Sequence, residues 1–89
     1  MEKGLPEAEQ WSRYLAENIR GLREKRNWRQ LQLAKAAGIP RSTVTQLESG
    51  AGNPALFTMQ KISAALQVTI QELLQPPAPR IQTIRGTEM

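Results

Sequence analysis

Apolar positions recur along this chain with the spacing of helices rather than of strands. Leu15, Ile19 and Leu22 repeat at four and three residues, and Trp11 extends the stripe by one turn. The period predicts a first helix from Glu7 to Arg26. Pro6 suits its opening position, and Glu7 and Glu9 favour a helix N-terminus. Gly21 weakens the interior by roughly 1 kcal/mol relative to Ala, so close packing is expected there. Asn27-Trp28 closes this helix. Leu33, Ala34 and Ala37 mark the inward face of a second helix, about Gln30 to Ala37. Gly38 breaks it, and Ile39 is an apolar plug in the turn. Val44 and Leu47 mark the inward face of a third helix that starts at Pro40 or Arg41 and ends at Gly50. Glycine enters the left-handed backbone region without steric cost, which suits Gly38 and Gly50 to helix C-termini. Ala34 is small enough for the two helices to cross closely. Gly50, Gly52 and Asn53-Pro54 are turn signals. Leu56, Met59, Ile62 and Leu66 give the stripe of a fourth helix, about Ala55 to Leu66. Thr69-Ile70-Gln71-Glu72 is a capping box that opens a short fifth helix ending at Leu74 or Gln75. Leu73 and Leu74 should pack or lie near a dimer seam.

The polar positions of the third helix carry the chemistry. Arg41, Ser42, Thr45, Gln46 and Ser49 occupy the face opposite Val44 and Leu47. All are short or forked, with hydrogen-bonding heads, as a base-reading surface requires. Two short helices around a tight turn form the pattern of a helix-turn-helix, whose second helix enters the DNA major groove. Trp28 reads as packing beneath the turn rather than as a base-stacking ring.

Charge strengthens this picture. The formal net charge is +4, from 12 basic and 8 acidic residues. Arg20, Arg23, Lys25, Arg26 and Arg29 lie close together, opposed only by Glu24. Such a cluster fits a polyanion partner. A solvated helix end, where cations favour the dipole, produces the same run.

Composition narrows the function classes. The chain's 89 residues allow one domain, and a chain this short gains from dimerisation. There is no cysteine and no histidine. Disulfides, the usual metal ligands and a histidine general base are therefore excluded, and no carboxylates are paired for catalysis. No enzyme activity, cofactor or metal is expected. No apolar run approaches the roughly 18 residues of a membrane span. The start, Met1 to Glu7, has no apolar signal-peptide core, so a cytoplasmic protein is expected.

The Gln30–Gly50 stretch, the Gly50-Ala51-Gly52-Asn53-Pro54 loop, the helix around Ile62 and Leu66, and the ending from Leu66 to Leu74 resemble the phage-repressor-like (Xre) helix-turn-helix family. The resemblance reaches back to about Leu15 and runs in order without gaps. It implies an all-α fold: a five-helix DNA-binding domain over residues 14–75. An N-terminal extension (1–13), either part of the first helix or a separate, flexible turn, precedes it, and a Pro-rich linker with a short extended tail (76–89) follows. It also implies a transcriptional regulator that binds double-stranded DNA sequence-specifically, as a homodimer on a palindromic operator. Arg41, Ser42, Thr45 and Gln46 match the family's base-reading positions. Gln30 matches its phosphate position, with Arg29, Ser49 and Asn53 as further backbone candidates. Arg23 stands where relatives carry the partner of Glu48, which predicts an ion pair between the first and third helices. The dimer seam is expected at the fifth helix, the loop before it, or the tail.

The chain departs from the family at three helix starts, where Arg29, Pro40 and Ala55 replace the usual capping hydroxyls. Arg29 cannot accept an N–H bond, a loss of roughly 1 kcal/mol, and a phosphate contact is one reason to keep it. Pro40 starts a helix through its preset backbone angle. An antitoxin that binds its own operator, and a toxin through residues 1–14 and 76–89, is the alternative function. A protein-interaction adaptor that lost DNA binding fits the polar third-helix face less well. Residues 1–6 read as disordered. Arg80 to Arg85 reads as a disordered end or as a strand pairing with its symmetry mate.

Overall fold

Helix α1 (Ala8–Lys25) runs unbroken through the boundary expected at residue 14. The residues before Tyr14 that the structure describes therefore extend this helix rather than forming a separate turn. The computed structural model describes residues 8–77. The readings for residues 1–6, for Glu7 as a helix start and for the 80–85 tail lie outside those residues. After α1 come α2 (Gln30–Ala37), α3 (Arg41–Glu48), α4 (Leu56–Leu66) and α5 (Ile70–Leu74). The fold is all-α, with no strand among the described residues.

One core holds these helices together. Leu15 and Ile19 of α1 meet Leu33, Ala34 and Ala37 of α2, Val44 and Leu47 of α3, Ile62 and Leu66 of α4, and Leu73 of α5. Trp28 is half-buried against this cluster, with the Arg26 guanidinium 5.7 Å from its ring centroid. Asn27, at φ 58°, ends the first helical stretch in the left-handed region. Gly38 ends α2 in the same region at φ 71°, and the Ile39 N–H then donates to the Ala34 carbonyl at 3.0 Å. That bond turns the chain sharply enough for α3 to cross α2.

Both ends of the C-terminal half are tied to α1. The capping box at Thr69 is complete: Glu72 N–H donates to Thr69 Oγ1 at 3.0 Å, and Thr69 N–H donates to Glu72 Oε1 at 2.8 Å. A five-residue helix is still too short to persist by itself. Asn18 of α1 holds its far end, donating from Nδ2 to the carbonyls of Leu73 and Gln75, each at 2.8 Å. Arg26 likewise donates from Nη2 to the Leu66 carbonyl at 2.6 Å, closing the C-terminus of α4.

Three packing expectations change. Gly21 is exposed, and a Cβ there would meet nothing within 4 Å, so no close approach requires it. The close approach is at Gly52, where a Cβ would lie 2.5 Å from Leu47 Cδ2 and 3.2 Å from Leu47 Cα. Leu56 is 64% exposed and does not belong to the buried stripe of α4. The buried face of that helix is Ile62, Ser63 and Leu66, because its first turn projects beyond the core. Trp11 is also largely outside the core, at 40% exposure, on the rim of a hollow shared with Leu15, Met59, Leu74 and the 50–54 loop.

Candidate nucleic-acid interface

Burial of Val44 and Leu47 fixes the rotation of α3 about its own axis. The opposite side must then face solvent. Arg41, Ser42, Thr45, Gln46 and Ser49 are all exposed there, and together they border one open hollow. No charged partner on the protein neutralises Arg41 among the described residues.

A second constraint on α3 is electrostatic. Glu48 is buried, and Arg23 of α1 grips it with two prongs: Nε donates to Oε2 at 2.6 Å and Nη2 to Oε1 at 2.9 Å. Arg23 Nη1 also donates to the Trp28 carbonyl at 2.7 Å, so one guanidinium joins α1, the turn before α2, and α3. The hydrogen bond to Glu48 raises the Arg23 pKa, outweighing the opposing effect of burial. The pair extends outward through Gln30. Gln30 Nε2 donates to Glu48 Oε1 at 3.1 Å, and Thr45 Oγ1 donates to Gln30 Oε1 at 2.7 Å. The first residue of α2 and the exposed face of α3 are thus linked to a buried charge.

The phosphate candidates are differently placed. Arg29 is exposed at the start of α2. Its N–H donates to Gln32 Oε1 at 2.6 Å, which supplies the reciprocal half of a capping box. The other half needs a side-chain acceptor, and a guanidinium has none. Gln30 uses one Nε2 hydrogen on Glu48 and retains the second. Asn53 is exposed in the loop after α3. Ser49 is a poorer donor than its residue type suggests. Its hydroxyl donates to the Gln46 carbonyl at 2.6 Å and accepts from the Ala51 N–H at 3.3 Å. Its only proton is therefore engaged within the end of α3.

The basic cluster does not form one patch. Arg23 is in the ion pair and Arg26 caps α4. Arg20 and Lys25 share a surface hollow on α1 with Glu17 and Glu24. Arg29 is the member of the cluster at the helix-turn-helix itself. The sequence reading missed Asn18, Gln32 and the Gln30–Thr45 contact. Gln32 carried a signal, since a glutamine at the third position of a helix is half of a capping box whatever the cap.

A helix-turn-helix family model matches residues 19–73. Over 83 residues, 93% of this chain and 78% of the relative, the sequence is 36% identical to a Neisseria hypothetical transcription factor from Neisseria meningitidis serogroup B. The crystal structure of the hypothetical transcription factor NHTF from Neisseria superposes with a TM-score of 0.74 at 33% identity, covering 94% of this chain and 97% of that one. The restriction-modification controller protein C.AhdI from Aeromonas hydrophila superposes with a TM-score of 0.66 at 31% identity, covering 70% of this chain and 94% of that one. Among the described residues, no helix is long and apolar enough to cross a membrane.

Proposed function

Since the chain belongs to the phage-repressor-like family of helix-turn-helix transcriptional regulators, we propose that it binds double-stranded DNA sequence-specifically, with α3 in the major groove. The observation that carries this reading is the outward face of α3, on which five polar side chains are exposed around one open hollow. Arg41 presents a fork that matches guanine O6 and N7, and Gln46 presents an amide that matches adenine N6 and N7. Arg29, Gln30 and Asn53 hold the backbone. The N–H groups of Gln30 and Leu31 assist them, since no side chain caps α2, whereas those of Gln32 and Leu33 already donate to the Arg29 carbonyl.

One such unit covers half of a typical operator. The protein acts as a homodimer that sets two copies of α3 one helical turn apart, about 34 Å, on a palindrome. Leu73 of α5 is fully buried in the protein's own core. The seam is better supplied by α4. Its exposed residues Leu56, Phe57, Gln60 and Ala64 lie on one side of the helix and carry no charge.

In vitro selection of DNA sites by the purified protein, with salt titration, tests the reading. The expected result is a palindromic motif and an affinity that falls steeply with salt. Arg41→Ala should lower affinity and relax one base pair of each half-site, by roughly 1 to 3 kcal/mol of discrimination. An unchanged sequence preference would remove Arg41 from the reading surface. Arg29→Ala should weaken all sequences alike and flatten the salt slope by about one unit.

A further inference from the structure

Thr45 is exposed on the reading face, yet its hydroxyl proton points into the protein. The direction of every bond behind it is dictated by chemistry. Arg23 has only donors, so both Glu48 oxygens accept from it. The Gln30 atom facing Glu48 Oε1 at 3.1 Å must then be the amide nitrogen, because two oxygens would repel. That leaves Gln30 Oε1 facing Thr45, an acceptor with no hydrogen to offer. Thr45 must donate to it, at 2.7 Å. A hydroxyl has one proton, so what Thr45 Oγ1 has left is lone pairs only.

We infer that Thr45 reads the amino edge of adenine or cytosine in the major groove, and that Gln30, held by Glu48 and Arg23, is the positioning residue that imposes this choice. The inference rests on the DNA-binding reading and adds to it what one position of the site must be. Adenine N6 and cytosine N4 are the major-groove donors, whereas guanine O6 and N7 and thymine O4 are acceptors. A threonine turning without constraint would donate or accept, and would choose between the two sets weakly. A threonine whose proton is engaged repels the acceptor edges. One neutral hydrogen bond gained, or one lone-pair clash avoided, corresponds to a preference of about two- to tenfold. The relay leaves one Gln30 Nε2 hydrogen over, so the same side chain reaches a phosphate while it sets Thr45.

Selection from a pool of double-stranded DNA with a randomised centre tests this, using wild type, Thr45→Val, Thr45→Ser and Gln30→Met. Wild type should select a base pair at one position of each half-site, and removing that pair's exocyclic amino group (purine in place of adenine, or 2-pyrimidinone in place of cytosine) should lower the affinity of wild type but not of Thr45→Val. Thr45→Val, which keeps the shape and loses the hydroxyl, should flatten that position, and Thr45→Ser should preserve it. Gln30→Met should flatten the same position while those that depend on Arg41 keep their bases. A purely structural role for Gln30 would lower affinity without touching base identity. A wild type indifferent to removal of that amino group, or a Thr45→Val pool identical to wild type, overturns the inference. An intact amino preference in folded Gln30→Met overturns the relay. Should Gln30→Met lose its helical circular dichroism, the Thr45→Val and Thr45→Ser pair decides alone, since both changes lie on the exposed face. Wild-type protein that binds no duplex at low salt would instead sink the DNA-binding reading itself.

Discussion

A methyl group added at two glycines should have opposite effects. At Gly52 it would collide with Leu47, a core residue of α3, at 2.5 Å from Cδ2 and 3.2 Å from the backbone Cα. Gly52→Ala is expected to destabilise the domain by about 1 to 3 kcal/mol in urea unfolding, the usual cost of overpacking. At Gly21 the same group meets open space in a helix interior. Gly21→Ala should stabilise by about 0.5 to 1 kcal/mol through helix propensity. Arg29 offers a third test, because it cannot cap α2. Arg29→Ser should raise stability by roughly 1 kcal/mol in thermal melts while weakening DNA binding at low salt. A stability gain with unchanged DNA affinity would show that the arginine makes no phosphate contact. These positions also mark what residue types reveal. Glycine at 38 announced a left-handed turn, whereas Gln67 adopts φ 59° at the end of α4 with no glycine to signal it. A glycine needed for a neighbour's bulk looks the same in sequence as one that is merely tolerated, so close packing is expected at Gly21, where there is none, while the turn signal at Gly52 does not reveal its contact with Leu47.

At the scale of elements, α3 is held by an apolar side and by a charge. Removing one member of the Arg23–Glu48 pair strands the other in a site where Glu48 is 7% exposed. Arg23→Met should cost about 3 to 5 kcal/mol, a large share of a small domain's total. Arg23→Met with Glu48→Leu should cost less than Arg23→Met alone, because no buried charge is then left unpaired. A loss below roughly 1 kcal/mol for the single change would mean that water reaches Glu48 when its partner is gone. Most helix limits were legible because the apolar stripes are long and their ends carry glycine, asparagine or a capping box. The Glu48 pairing was legible only through family resemblance, since the two residues lie 25 positions apart and neither is unusual alone. The α4 stripe misled at its first turn. Leu56 keeps the helical spacing of Met59 and Ile62, but periodicity does not record where the supporting helices stop.

For the molecule as a whole, the exposed side of α4 sets the expected assembly. Leu56 and Phe57 are 64% and 65% exposed and adjacent, with Lys61 4.6 Å from the Phe57 ring centroid. Two large apolar side chains side by side are the feature of this helix that fits a partner surface. Leu56→Ser with Phe57→Ser should shift the protein toward monomer in sedimentation or light scattering, leave the helical signal intact, and reduce operator affinity by at least tenfold. A double variant that remains dimeric would move the seam away from α4. The tethers from α1 carry a consequence for how the domain is born. Asn18 waits for carbonyls 55 and 57 residues downstream, and Arg26 for one 40 downstream. A ribosome makes the chain from its N-terminus, so these donors emerge long before their acceptors exist. The tethers that hold α5 cannot form until Gln75 has cleared the exit tunnel, and a chain cut short within α5 should be cleared by proteases faster than the full-length one.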